Sequence, residues 1–94
     1  MKKDIQIEEI LSSELVYAVF QPIISLKNGK IIGYEGLSRG PENTNLHSPL
    51  ALIESAKKSN KLWDLETLLR KVVINSASDL GMQESLFLNV EPDV

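Results

Sequence analysis

The spacing of hydrophobic positions changes along this chain, and each change marks an element. In residues 1–13, Ile7, Ile10 and Leu11 recur at i, i+3 and i+4, the spacing of one helical face, and Asp4 stands where an N-cap belongs. This short amphipathic helix is expected to lie across one end of a sheet. Residues 16–39 hold two runs rich in Ile, Val, Phe and Tyr that flank Lys27-Asn28-Gly29, and read as a β-hairpin with strands 16–26 and 30–39. Val19, Ile23, Ile31 and Leu37 would line one face, and Phe20, Ile24, Ile32 and Tyr34 the other. A sheet buried on both faces is therefore expected. Pro22 has no N–H to give, which puts strand 16–26 at an edge or leaves it paired on one side only there.

Helices are expected over residues 49–80. Ser48 caps the first and Pro49 opens it; Leu50, Ile53 and Ala56 form its buried stripe and Asn60 ends it. The second, over 62–80, carries Leu62, Leu65, Leu69, Val72, Val73 and Leu80 at helical spacing and meets a left-handed cap at Gly81. Trp63 reads as packing between the two helices. Residues 86–90 form a short apolar run after a crossover helix, the pattern of a parallel strand. The loop 40–47 between hairpin and helices has Gly, Pro and Asn and no periodicity.

The second hairpin strand carries the candidate chemistry. Alternation places Glu35, Leu37 and Arg39 on one face, with the carboxylate and guanidinium roughly 13 Å apart along the chain at about 3.3 Å per residue. Groups so separated suit two parts of one ligand better than each other. Register decides what joins them. A two-residue turn at Asn28-Gly29 would oppose Lys27 to Lys30 and turn Gln21 away from Glu35. A three-residue loop with Gly29 left-handed separates the lysines and sets Gln21 directly opposite Glu35. The three-residue loop is expected; from pattern alone, Gln21 also reads as a solvated edge residue.

Composition narrows the function classes. The 94 residues, 43% hydrophobic and 24% charged, describe one modest core. A net charge of -3 gives no electrostatic reason to bind a nucleic acid polymer. The absence of cysteine excludes disulfides and thiolate metal sites. No stretch has the roughly 20 apolar residues of a membrane span, and the amino terminus lacks the layout of a signal peptide, so a cytoplasmic protein is expected. His47, the one histidine, reads as a loop-packing residue just before a helix cap rather than a catalytic base.

The ordered set Phe20-Gln21-Pro22, Glu35-Gly36-Leu37, Arg39, Gly40-Pro41-Glu42-Asn43, Leu46-His47-Ser48-Pro49 and Leu86-Phe87-Leu88-Asn89-Val90 resembles the opening of EAL domains. These are bacterial phosphodiesterases that hydrolyse cyclic di-GMP. The resemblance runs over the whole chain and implies an α/β fold, the amino-terminal part of a (β/α)8 TIM-type barrel, since a whole barrel takes about 250 residues. It implies that Glu35 and Asn89 are ligands of Mg²⁺ or Mn²⁺, that Arg39 contacts a phosphate, and that Gln21 lies beside the substrate. Without the resemblance, Asn89 reads as the start of the Glu91-Pro92 turn. The implied reaction is metal-assisted hydrolysis of one phosphodiester bond to the linear dinucleotide. The family's later acidic motifs have no counterpart here, so the chain alone is expected to be inactive and to hold metal weakly. A non-catalytic receptor of the same ligand is the alternative. Three departures stand out: Gly36 for the usual alanine, Ser38 and Gly40 in place of larger residues beside the arginine, and Glu91 where serine is common. The open side of a partial barrel is expected to make copies of the chain associate.

Overall fold

The hairpin turn is closed by its own polar side chains. Ser25 Oγ accepts from the Lys27 N–H at 3.2 Å and Asn28 Oδ1 from the Lys30 N–H at 3.0 Å. Gly29, left-handed at φ 69°, donates its N–H to the Ser25 carbonyl at 2.9 Å, and the Ser25 N–H donates to the Lys30 carbonyl at 2.9 Å. The loop therefore holds Leu26, Lys27, Asn28 and Gly29, one residue more than expected. An irregularity beside it restores the register: Ile24 pairs with Ile31, Ile23 with Gly33, and Ile32 is the extra residue of a β-bulge. Beyond the bulge Gln21 stands opposite Glu35, as expected, through a four-residue loop and a bulge in place of a three-residue loop. Ile31 consequently pairs with Ile24 and does not join the face of Val19 and Leu37.

The computed structural model describes residues 2–82 and 85–88. Its elements in chain order are α1 (Ile7–Ser13), β1 (Tyr17–Ile24), β2 (Ile31–Arg39), α2 (Pro49–Lys58), α3 (Leu62–Asp79) and β3 (Ser85–Leu88). The architecture is mixed α/β, with a sheet in the order β1-β2-β3. β1 and β2 are antiparallel, and β3 returns parallel to β2 with Glu35 opposite Phe87. That return is the parallel pairing expected after a crossover helix.

α3 covers one face of the sheet. A Cβ built on Gly36 would collide with Val73 Cγ1 and stand 3.5 Å from Phe20 Cε1. Glycine at 36 thus lets α3 sit against the Phe20 and Gly36 face, and strand alternation turns Gln21 and Glu35 to the other face. That other face is not buried: Tyr17 and Val19 are each 37% exposed.

The core lies among the helices. Ile5, Ile7, Ile10, Leu46, Leu52, Ala56, Leu65 and Leu68 form one buried cluster. Several expectations are corrected here. α1 begins at Ile7 with Gln6 at its cap position, so Asp4 is not an N-cap, and the helix packs on α2 and α3 rather than across the sheet. The segment before it is held elsewhere: Lys3 bridges Thr44, and Asn45 bonds the backbone of Ile5 at both ends, accepting from its N–H at 2.8 Å and donating to its carbonyl at 3.1 Å. In α2 the Ser48 hydroxyl caps as expected, accepting from the Ala51 N–H at 3.1 Å, but the buried positions are Leu52 and Ala56 while Leu50 is exposed. In α3, Leu65 is buried and Trp63 lies 70% exposed, so it does not pack between the helices. Leu50 and Leu52, like Trp63 and Leu65, stand two positions apart, about 200° around a helix, so burying one of each pair exposes the other. Leu80 is exposed beyond the end of α3, where Gly81 is left-handed as expected; Asn60 ends α2 as expected, and is itself left-handed.

Candidate functional site at the open face of the hairpin

Three cross-strand pairs line the face that points away from α3. Gln21 opposes Glu35, Val19 opposes Leu37, and Tyr17 opposes Arg39. Opposed residues of an antiparallel pair share a face with Cβ atoms about 4.5–5.5 Å apart. The structure therefore brings Gln21, Glu35 and Arg39 to one surface. Glu35 and Arg39 are half-buried and Gln21 is exposed, so polar groups reach solvent above a floor of Val19 and Leu37. The Arg39 guanidinium folds back on the main chain, its Nη1 donating to the Ser38 carbonyl at 2.9 Å. A guanidinium carries further N–H donors besides the one in that bond, and these can serve an anion. Asn89, the fourth residue expected at the site, lies outside the described residues.

The loop after Arg39 is a closed ring. The Gly40 N–H donates to the His47 carbonyl at 2.8 Å, and His47 Nδ1 donates back to the Gly40 carbonyl at 3.0 Å. A carbonyl only accepts, so the bond places the imidazole proton on Nδ1. A Cβ at Gly40 would run into the Leu46 carbonyl, which is why no larger residue fits there. Thr44 Oγ1 donates to the Pro41 carbonyl at 2.8 Å and accepts from the Leu46 N–H at 3.2 Å, bracing the loop from inside. His47 packs its ring against Tyr17, centroids 6.4 Å apart and tilted by 34°. It is the loop-packing residue expected. Tyr17 was not singled out from the sequence, although the register that opposes Gln21 to Glu35 also opposes Tyr17 to Arg39.

Mg²⁺ usually takes six oxygen ligands, some of them water. This face presents the Glu35 carboxylate and the Gln21 amide, and among the described residues no group of three or more His, Cys, Asp or Glu side chains comes together. The described residues do not make a complete divalent-cation site.

A separate cleft of about 500 Å³ lies between α1 and α3, lined in part by Glu8, Leu11, Lys61, Asp64 and Lys71. Its charges are mixed, and Lys71 is engaged by Glu14 at 2.8 Å. That pair is half exposed and contributes little to stability. The strand face is a better candidate than this cleft, because it sets a carboxylate, an amide and a guanidinium in fixed register.

No helix among the described residues is long and apolar enough to cross a membrane. No family model matches the sequence, and no curated protein matches it. Among solved structures, the chain is similar to the crystal structure of the FimX EAL domain from Pseudomonas aeruginosa bound to c-di-GMP, with a TM-score of 0.63 and 27% sequence identity. The match covers 89% of this chain and 34% of that one, so the chain spans about a third of the solved domain. Over most of its length, this chain is similar in fold to a stretch of an EAL domain.

Proposed function

We propose that this chain is a portion of an EAL-type domain, part of a (β/α)8 barrel, and that the open face of β1 and β2 binds cyclic di-GMP. The observation that carries the reading is the register of Gln21 on Glu35 with Arg39 on the same face, in a chain similar to a domain solved with that ligand. Arg39 holds a phosphate through its free donors, and Gln21 lies beside the ligand. Glu35 and Asn89 supply part of the oxygen donor set for Mg²⁺ or Mn²⁺, the cation that would promote hydrolysis to the linear dinucleotide in the whole domain. The work is that of bacterial second-messenger signalling in the cytoplasm. A second reading is a receptor that binds the same ligand on this face without hydrolysis.

The test is equilibrium binding of radiolabelled cyclic di-GMP to the chain, paired with product analysis in Mn²⁺. Binding that is lost in Arg39→Ala and retained in Lys71→Ala, with no linear product, is expected. Equal binding by wild type and Arg39→Ala would overturn the assignment of the face. Linear dinucleotide formed by the wild type and absent with Glu35→Ala would show that the chain completes a catalytic site.

A further inference from the structure

Arg39 and Glu35 account for charged parts of a ligand, yet the residue opposite Arg39 is aromatic. We infer that Tyr17 is a further ligand-contacting residue, whose ring stacks on a nucleobase of the dinucleotide that Arg39 holds by its phosphate. The inference rests on the cyclic di-GMP reading above and names which part of the ligand lies over the upper end of the hairpin.

Three observations carry it. Tyr17 pairs directly with Arg39, so the two side chains rise from one face at neighbouring positions. A group bonded to the guanidinium has the phenol ring beside it. Tyr17 also lies on the face away from α3 and remains 37% exposed, so its ring is not committed to the helical core. Finally, the ring is braced. His47 packs 6.4 Å away, and its imidazole is tied to Gly40, the residue that follows Arg39. The ring of Tyr17 is thus braced, through His47, against the backbone that follows Arg39. An aromatic surface already restrained loses less freedom when a ligand arrives. Every base offers a π face to such a platform, and stacking of one base corresponds to roughly 5- to 150-fold in affinity.

The experiment is an NMR titration of the labelled full chain with cyclic di-GMP and, separately, with inorganic pyrophosphate, repeated with Tyr17→Phe and Tyr17→Leu. The expected result is that both probes move the Arg39 side-chain resonances, while only cyclic di-GMP shifts the Tyr17 ring protons upfield. Tyr17→Phe should bind within about twofold of wild type, and Tyr17→Leu roughly tenfold more weakly. Should Tyr17→Leu fail to fold, the ring shifts in the wild type and the Tyr17→Phe affinity decide. If cyclic di-GMP moves Arg39 and leaves the Tyr17 ring unmoved, the stacking role is overturned while the binding reading stands. If cyclic di-GMP moves neither residue, the reading fails and the inference falls with it.

Discussion

Replacing Gly36 with alanine adds one methyl group at the point where α3 presses on the sheet, and the structure says how that methyl will be received. Its carbon would collide with Val73 Cγ1 and stand 3.5 Å from Phe20 Cε1. Val73 is 3% exposed, so its side chain cannot swing into solvent, and β2 cannot retreat because it is paired on both sides there. Overpacking of this kind costs about 1–3 kcal/mol. Alanine in place of glycine in a strand recovers about 0.5–1 kcal/mol of chain entropy. A net loss of about 1–2 kcal/mol is expected for Gly36→Ala. Val73→Ala alone removes two buried carbons, about 1.6 kcal/mol at 0.8 kcal/mol each, before any cavity term. In the double variant the new methyl occupies space that the valine vacates, so the two losses should fall short of their sum by about 1–2 kcal/mol. Urea unfolding followed by circular dichroism measures all four corners of the cycle. Additive losses within about 0.5 kcal/mol, or a Gly36→Ala chain as stable as wild type, would refute the packing argument. The substitution also bears on the site, because Gly36 adjoins Glu35: Gly36→Ala alone should weaken ligand binding, and Val73→Ala should restore part of it.

Further consequences can be measured separately. Asn45→Ala removes both bonds to the Ile5 backbone and should cost about 2–3 kcal/mol, since each bond lost from a partly buried group costs about 1 kcal/mol or more; an equally stable variant would show that the amino-terminal segment is held by Lys3 and Thr44 alone. Ser48→Ala removes the α2 cap and should lower stability by about 1 kcal/mol, whereas Ser48→Asp should not. Copies of the chain should associate at micromolar concentration through the open face, where Tyr17 and Val19 of the edge strand β1 are partly exposed, and saturating cyclic di-GMP should shift them toward monomer. Sedimentation velocity reads both effects, and a monodisperse monomer without ligand would contradict the first.

The parts legible in the sequence were those governed by neighbours in the chain. The Ser48-Pro49 helix start, the left-handed Gly29 and Gly81 and the end of α2 at Asn60 follow from local rules, and the parallel return of the third strand follows from the crossover helix before it. The opposition of Gln21 to Glu35 was legible too, but its mechanism was not. Ile31 and Ile32 are equally apolar, so periodicity could not show which of them the ladder would skip, and the compensating longer loop stayed hidden. The start of α1 was misread because Asn45, 40 residues away, captures the backbone of Ile5 before the helix can begin. Leu50 reads as part of the buried stripe that Leu52 occupies, and Trp63 as packing between the helices where it lies exposed, because packing between helices and not composition decides which positions are covered. At the site, Tyr17 was within reach of the register argument but lay outside the motifs that drew attention, and its restraint by His47 depends on a loop closure that only the fold reveals.

Cyclic di-GMP is proposed to sit on the open face of β1 and β2. Intermolecular nuclear Overhauser effects between the unlabelled ligand and the isotope-labelled chain test it most directly. Contacts are expected from the ligand to the side chains of Gln21, Val19, Leu37 and Arg39, which share that face. Contacts instead to Lys61 and Lys71, in the cleft between α1 and α3, would place the ligand elsewhere on the molecule and contradict the account.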